Sequence, residues 1–224
     1  MSDGFVGQQG LSSSGGEFNA IRFVAWQLLG LVGTVKLVKV ITVHAAGGIA
    51  LAGTVDVQPL VNQIDGQGNS TPHGTVFSLP YFRLQGGVNA IIIDPVAGDM
   101  GLAVIADRDI SAVKASKKQS NPGSYRRFDT ADGIYIGGIL NAIPTQWIAF
   151  LETGISITDL NGKSLVSSSA GWAMTGDLAV TGQVTATADI TAGQGGADSV
   201  ALQTHKHGDV QTGSGESGAP VAGT

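Results

Sequence analysis

Met174-Thr-Gly-Asp-Leu-Ala-Val-Thr-Gly-Gln-Val-Thr-Ala-Thr-Ala-Asp-Ile-Thr-Ala192 alternates without a break over nineteen residues. The even positions hold Met, Leu, Val, Ile, Ala or Gly, and the odd ones are almost all Thr, Asp or Gln. Side chains on a strand change face at every residue, so this pattern writes one apolar and one polar face. Extended, the segment would reach about 60 Å, well beyond the usual strand of roughly 3–10 residues. One chain cannot cover such a face. Its inward residues, among them Ala186, Ala188 and Ala192 with Gly176 and Gly182, are too small to fill a sandwich core, but they suit a narrow axis around which several chains wind. Trp147 to Phe150 and Gly154 to Ile157 read as the start of the same shaft.

The composition around the stretch agrees. Glycine supplies 34 of 224 residues, about twice the usual ~7%, while Asp, Glu, Lys and Arg reach only 13% against a usual ~25%. The 42% hydrophobic content and positive mean hydropathy exclude a disordered polymer. There is no cysteine, which excludes disulfides, thiol nucleophiles and Cys-based zinc or iron–sulfur sites. Beyond Lys163 the only cation is Lys206, and beyond Trp172 no aromatic residue occurs. That shift marks a separate fibrous module, expected to fold as a trimer.

Upstream, Phe18, Ile21, Ala25, Leu28 and Leu29 recur at helical spacing, which predicts a helix over Glu17–Leu31, packed on its own domain or docking a partner. The apolar run Phe23 to Val35 is too short to span a membrane, and no basic region precedes it, so synthesis as a soluble chain in the cytoplasm is expected. From Thr34 to Ile110, five β runs (Thr34–His44, Ile49–Val61, Gly74–Leu84, Asn89–Ile93, Gly101–Ala106) predict a small OB-type barrel. Asp65–Gly66 and Gln67–Gly68 are among the expected turns. Four cations (Lys36, Lys39, Arg83, Arg108) against six Asp leave no basic groove, so nucleic acid is not expected as a partner. Residues 111–145 read as a solvated basic linker. The expected organisation is an N-terminal helical docking segment (1–33), the barrel (34–110), the linker (111–145), a trimeric β-helix shaft (146–200) and an apex (201–224).

His205-Lys-His207 is the one close pair of histidines. On a strand, residues i and i+2 face one way, so three chains would turn six imidazole nitrogens to the axis. Six nitrogens suit an octahedral ion such as Fe(II) or Ni(II) better than four-coordinate zinc. His44 and His73 receive no role. Gly213-Ser-Gly-Glu-Ser-Gly218 spells G-x-G-x-x-G but lacks a strand–helix frame, and Gly162-Lys-Ser164 lacks the upstream glycine of a phosphate loop. Asp107 and Asp109 around Arg108 read as a turn with a local ion pair, and no catalytic constellation emerges, so an enzyme is not expected.

Val55-Asp-Val-Gln-Pro-Leu-Val61, Pro80-Tyr-Phe-Arg-Leu-Gln-Gly86 and the run Asp94-Pro-Val-Ala-Gly-Asp-Met-Gly-Leu-Ala-Val-Ile-Ala-Asp-Arg-Asp109 together resemble the N-terminal domain of contractile-tail phage spike proteins. The likeness is to the gp138-type membrane-piercing central spike, related in architecture to the baseplate protein V spikes. Thr204-His-Lys-His-Gly208 with its Gly/Ser/Thr-rich sequel resembles the apex of the same spikes. The resemblance implies an all-β chain: an OB-fold barrel on the tail hub, an intertwined homotrimeric β-helix, and a pointed apex with one iron per trimer held by His205 and His207 of each chain. Further ions on the trimer axis are compatible with it. It implies a virion protein at the tail baseplate tip that penetrates the host outer membrane mechanically, without a lysozyme domain. The alternative is a trimeric receptor-binding tail fibre, which would share the shaft but end in an aromatic-rich head.

Overall fold

The computed structural model describes residues 15–30, 32–64, 69–197, 199–204 and 213. The expected turns at Asp65–Gly68, the pair His205 and His207, and most of the Gly213–Gly218 loop lie outside the described residues. The chain is mostly β and divides into two compact units, residues 1–143 and 144–224.

In the first unit, α1 (Glu17–Gly30) forms where the spacing predicts it, but it buries none of its residues, and Phe18 is 77% exposed. No described helix is long and apolar enough to cross a membrane. The strands that follow are β1 (Val35–His44), β2 (Thr54–Pro59), β3 (Gln63–Ile64), β4 (Ser70–Thr71), β5 (Val76–Pro80), β6 (Leu84–Gly86), β7 (Asn89–Ile91) and β8 (Met100–Ile105). A short helix α2 (Ser111–Ser116), a 3-10 turn (Thr130–Asp132) and strand β9 (Gly133–Gly137) complete the unit.

Five of these strands make one antiparallel sheet in the order β5-β2-β1-β8-β9. β1 is rich in β-branched residues, and its buried positions Val38 and Val40 are two apart, as one face of a strand requires. They pack with Val55, Val57, Leu79, Tyr81, Ala103 and Tyr135 in a single core. Tyr81, just past the end of β5, makes an isolated parallel bridge with Tyr135 of β9, and Phe82 N donates to Tyr135 O at 2.8 Å. Burial, then the charge of Asp99, pushes the Tyr135 phenol up to about 12.

Two expectations need correction. Asn89–Ile93 was expected as a barrel strand, yet β7 pairs only with β6 in a separate hairpin whose residues are all exposed. The fifth strand of the sheet is β9, inside the stretch 111–145 expected as a linker. β9 wins that place because Tyr135 fills the core beside Ala103, and because Gly101 and Gly137 offer no side chain where the Tyr135 ring lies.

The second unit opens with a four-stranded antiparallel meander, β10 (Trp147–Leu151), β11 (Gly154–Thr158), β12 (Ser164–Ser168) and β13 (Gly171–Thr175). Its turns follow local chemistry. Asp159 Oδ1 accepts from Asn161 N at 2.9 Å and Lys163 N at 2.7 Å, while Gly162 takes φ +77°. A two-stranded hairpin of β14 (Thr191–Ala192) and β15 (Val200–Ala201) follows.

The alternating segment does not stay extended in the single chain. β13 ends at Thr175, and Gly176 and Gly182 adopt φ +130° and +149°. A strand without a neighbour leaves its backbone groups unpaired, and among the described residues no strand pairs with residues 177–188. Every described residue from Gly171 to Val200 is exposed.

Candidate functional site

The approach to the histidine pair is built from residues two parts of the chain bring together. Thr191 and Ala192 pair with Ala201 and Val200. The clamp extends below the hairpin: Leu202 N donates to Ile190 O at 2.9 Å, and Gln203 N donates to Asp189 Oδ1 at 2.9 Å. The turn between them uses Gly193 and Gly195 at φ +65° and +83°, closed by Gly196 N donating to Gly193 O. Thr204 therefore leaves a fixed hairpin directly ahead of His205, and Asp189, one of the polar positions of the alternating run, has a local role as a cap. Among the described residues no group of three His, Asp or Glu side chains is placed to hold a metal ion.

The first unit holds three charged clusters that sequence reading did not assemble. His44 Nε2 lies 2.8 Å from Asp56 Oδ2, and Asp56 Oδ1 accepts from Ser78 N at 2.9 Å. These hydrogen bonds, His44 first, hold the Asp56 carboxyl below the usual range. Arg83, buried, bonds Asp94, Tyr81 Oη and Ala50 O, so it ties the base of the β6–β7 hairpin to the loop before β2. Its hydrogen bond lowers the Asp94 pKa, and Asp94 raises that of Arg83.

The third cluster corrects the expected local pair around Arg108. Asp109 engages Arg126, not its neighbour: Arg126 Nη2 lies 3.1 Å from Asp109 Oδ2 and 3.0 Å from Asp132 Oδ1, and Arg126 Nε donates to Asp132 Oδ2 at 3.0 Å. Asp109 also accepts from Ser111 N at 2.8 Å and Ser124 Oγ at 2.7 Å; hydrogen bonding from the Ser111 side chain first, then from the Ser124 side chain and the Ser111 backbone, lowers its pKa to about 2. The clasp closes the excursion between β8 and β9. Such clusters order loops; an arginine between two nearly buried carboxylates is a fastening and not a proton donor.

A cavity of about 330 Å³ lies over β1 and β2, lined in part by Lys36, Pro59, Asn62 and His73. Burial, then the Lys36 charge, lowers the His73 pKa, and the His73 carbonyl accepts from Gln58 Nε2 at 2.5 Å. The histidines His44 and His73 thus sit in separate local networks, one paired to a carboxylate and one bonded through its backbone to a glutamine. No sequence signal announces such pairs, because their partners are fixed by strand register.

No curated protein matches the chain. Residues 199–221 match the family model of the GpV Apex motif, a stretch that takes in β15 and the His205-Lys206-His207 run, and this match supports a spike-type structural protein of a phage baseplate.

Proposed function

We propose that the protein is the homotrimeric central spike of a contractile phage tail, fixed to the tail hub through its N-terminal region and driven mechanically through the host outer membrane. The observation that carries this reading is the apex match over residues 199–221, a stretch that includes His205 and His207. Two features support it. The order β5-β2-β1-β8-β9, with a bridge between Tyr81 and Tyr135 at its two edges, is the pairing a five-stranded barrel of OB type needs. The exposure of every described residue from Gly171 to Val200 leaves an apolar stripe that other copies of the chain would cover in a β-helix.

Each chain offers two imidazoles at spacing i, i+2, a donor set that becomes complete for an octahedral ion only when three chains meet. His205 and His207 of each chain would hold iron, which supplies a cross-link between three chain ends and no reaction. The proposed work is mechanical and asks for no catalytic residue.

The test is elemental analysis with light scattering on the wild type and on the double variant His205→Ala, His207→Ala. Roughly one iron per three chains is expected in the wild type and none in the variant. Equal metal in both would overturn the ligand assignment, and a wild-type mass of 22.7 kDa would overturn the trimer.

A further inference from the structure

We infer that the basic excursion between β8 and β9, residues Ser111–Arg127, is an electrostatic docking face for an acidic protein surface, which in a spike belongs to the tail hub. The inference rests on the N-terminal attachment proposed above and adds to it which surface is used and what chemistry its partner carries.

Charge is divided unevenly along the chain. Residues 1–143 carry ten Lys and Arg against ten Asp and Glu, so the whole net charge of −5 falls in residues 144–224. Within the neutral first unit the signs are segregated again. From Ser111 to Phe128 there are five cations and no carboxylate. Arg126 takes up the flanking carboxylates Asp109, Asp129 and Asp132. Among the described residues no carboxylate pairs with Lys114, Lys117, Lys118 or Arg127, and the last three are exposed.

Four free cations on a loose loop would be an ordinary solvated surface, but this excursion is held. The Arg126 clasp closes its ends. Inside it, α2 stops at Lys117 in the left-handed region, whose N–H donates to Val113 O at 2.9 Å, and Ser116 Oγ lies 2.9 Å from Ser120 Oγ. Charges already fixed in place lose little freedom on docking.

Strand register sets where the excursion stands. Val35 pairs with Val104 and Gly133 with Ile105, so β1 begins, β8 ends and β9 begins at one pole of the sheet. β9 ends at the other pole, with Gly137 beside Gly101, and from there the chain runs on to its second unit. The basic face therefore occupies the pole away from that exit. α1 joins β1 at the same pole, and the two segments touch: a Cβ on Gly33 would lie 2.8 Å from Phe128 O, and Lys36 Nζ donates to Thr130 Oγ1 at 3.3 Å.

That juxtaposition selects a protein as the occupant. α1 leaves Phe18, Ile21, Trp26 and Leu28 more than half exposed, and a helix apolar on several sides is one that another protein covers. Phosphate backbones have no use for it, and a unit of zero net charge is a poor polyanion binder. A partner with an acidic patch beside an apolar recess uses both features, the charges steering the encounter and fixing its orientation.

The test uses the full chain and two triple variants, in which Lys114, Lys117 and Lys118 are all changed to Glu or all to Arg. Their affinity for the hub protein of the same phage is measured at about 50 and about 500 mM salt. Wild type and the Arg variant should bind alike and lose about tenfold or more between the two salts, whereas the Glu variant should bind about tenfold more weakly at low salt and respond little to salt. α2 buries none of its residues, so the unfolding temperature should not move; should the Glu variant fail to fold, the corresponding Gln variant and the wild-type salt dependence decide. Equal binding by wild type and the Glu variant, or binding indifferent to salt, would overturn this inference and leave hub attachment standing. A wild type that binds no hub at either salt would overturn the attachment reading itself. Preference of the wild type for a DNA duplex of about 20 base pairs, lost in the Glu variant, would overturn the inference in favour of nucleic acid.

Discussion

Gly101→Ala is a decisive perturbation of the first unit, because opposite signs follow from the two views of residues 111–145. Were that stretch a linker, alanine on β8 would meet open space, and the gain in backbone order would stabilise by up to about 1 kcal/mol. With β9 paired to β8, a Cβ at residue 101 would lie 2.4 Å from Ile136 O, 2.7 Å from Tyr135 Cε2 and 2.9 Å from Gly137 Cα. All three are closer than carbon tolerates, and two are backbone atoms. β9 would have to move away by more than half an ångström, loosening a five-pair register and the packing of Tyr135, which is 1% exposed. Overpacking of this kind costs about 1–3 kcal/mol, and loss at the upper end lowers Tm by roughly 6–12 °C for a unit of this size. Gly74→Ala is the control, since nothing lies within 4 Å of its Cβ. Thermal unfolding, with amide exchange read on Leu102 and Val104, reports the unit directly. Unchanged or raised stability in Gly101→Ala with protected β8 amides would refute the placement of β9.

Leu79, fully buried beside Gly133, should cost about 2–5 kcal/mol on Leu79→Ala, measured by urea unfolding of the first unit. The Asp109 carboxyl, at about 2 when folded against 3.8 ordinarily, is depressed, so its stabilisation is present above about pH 4 and lost as pH falls toward 2. Acid titration of the wild type should show that loss, and Asp109→Asn should flatten it. Val184→Asp, at an even position of the alternating segment, should abolish the trimer without altering exchange in the first unit, as read by light scattering; an intact trimer would place that position off the axis. Iron should leave the wild-type protein as pH drops below about 6.5, since only neutral imidazole binds metal.

The sequence by itself determined what depends on neighbours along the chain. Helical spacing placed α1, runs rich in apolar and β-branched residues placed β1 and β8, and the shift to a glycine-rich composition with period two falls within the second of the two units. The histidine pair is read from i, i+2 spacing alone and lies outside the described residues. Tertiary structure decided whatever depends on a choice between distant partners. Asn89–Ile93 and Gly133–Gly137 are both short β runs, and only the fit of Tyr135 over Gly101 makes the second the sheet's fifth strand. Arg126 looked like one cation in a basic loop, and closure of the sheet brought Asp109 and Asp132 to it. The alternating segment is the opposite case: its period is unmistakable, yet one chain breaks it at Gly176, because a pattern selects a face while only a paired neighbour holds a backbone extended.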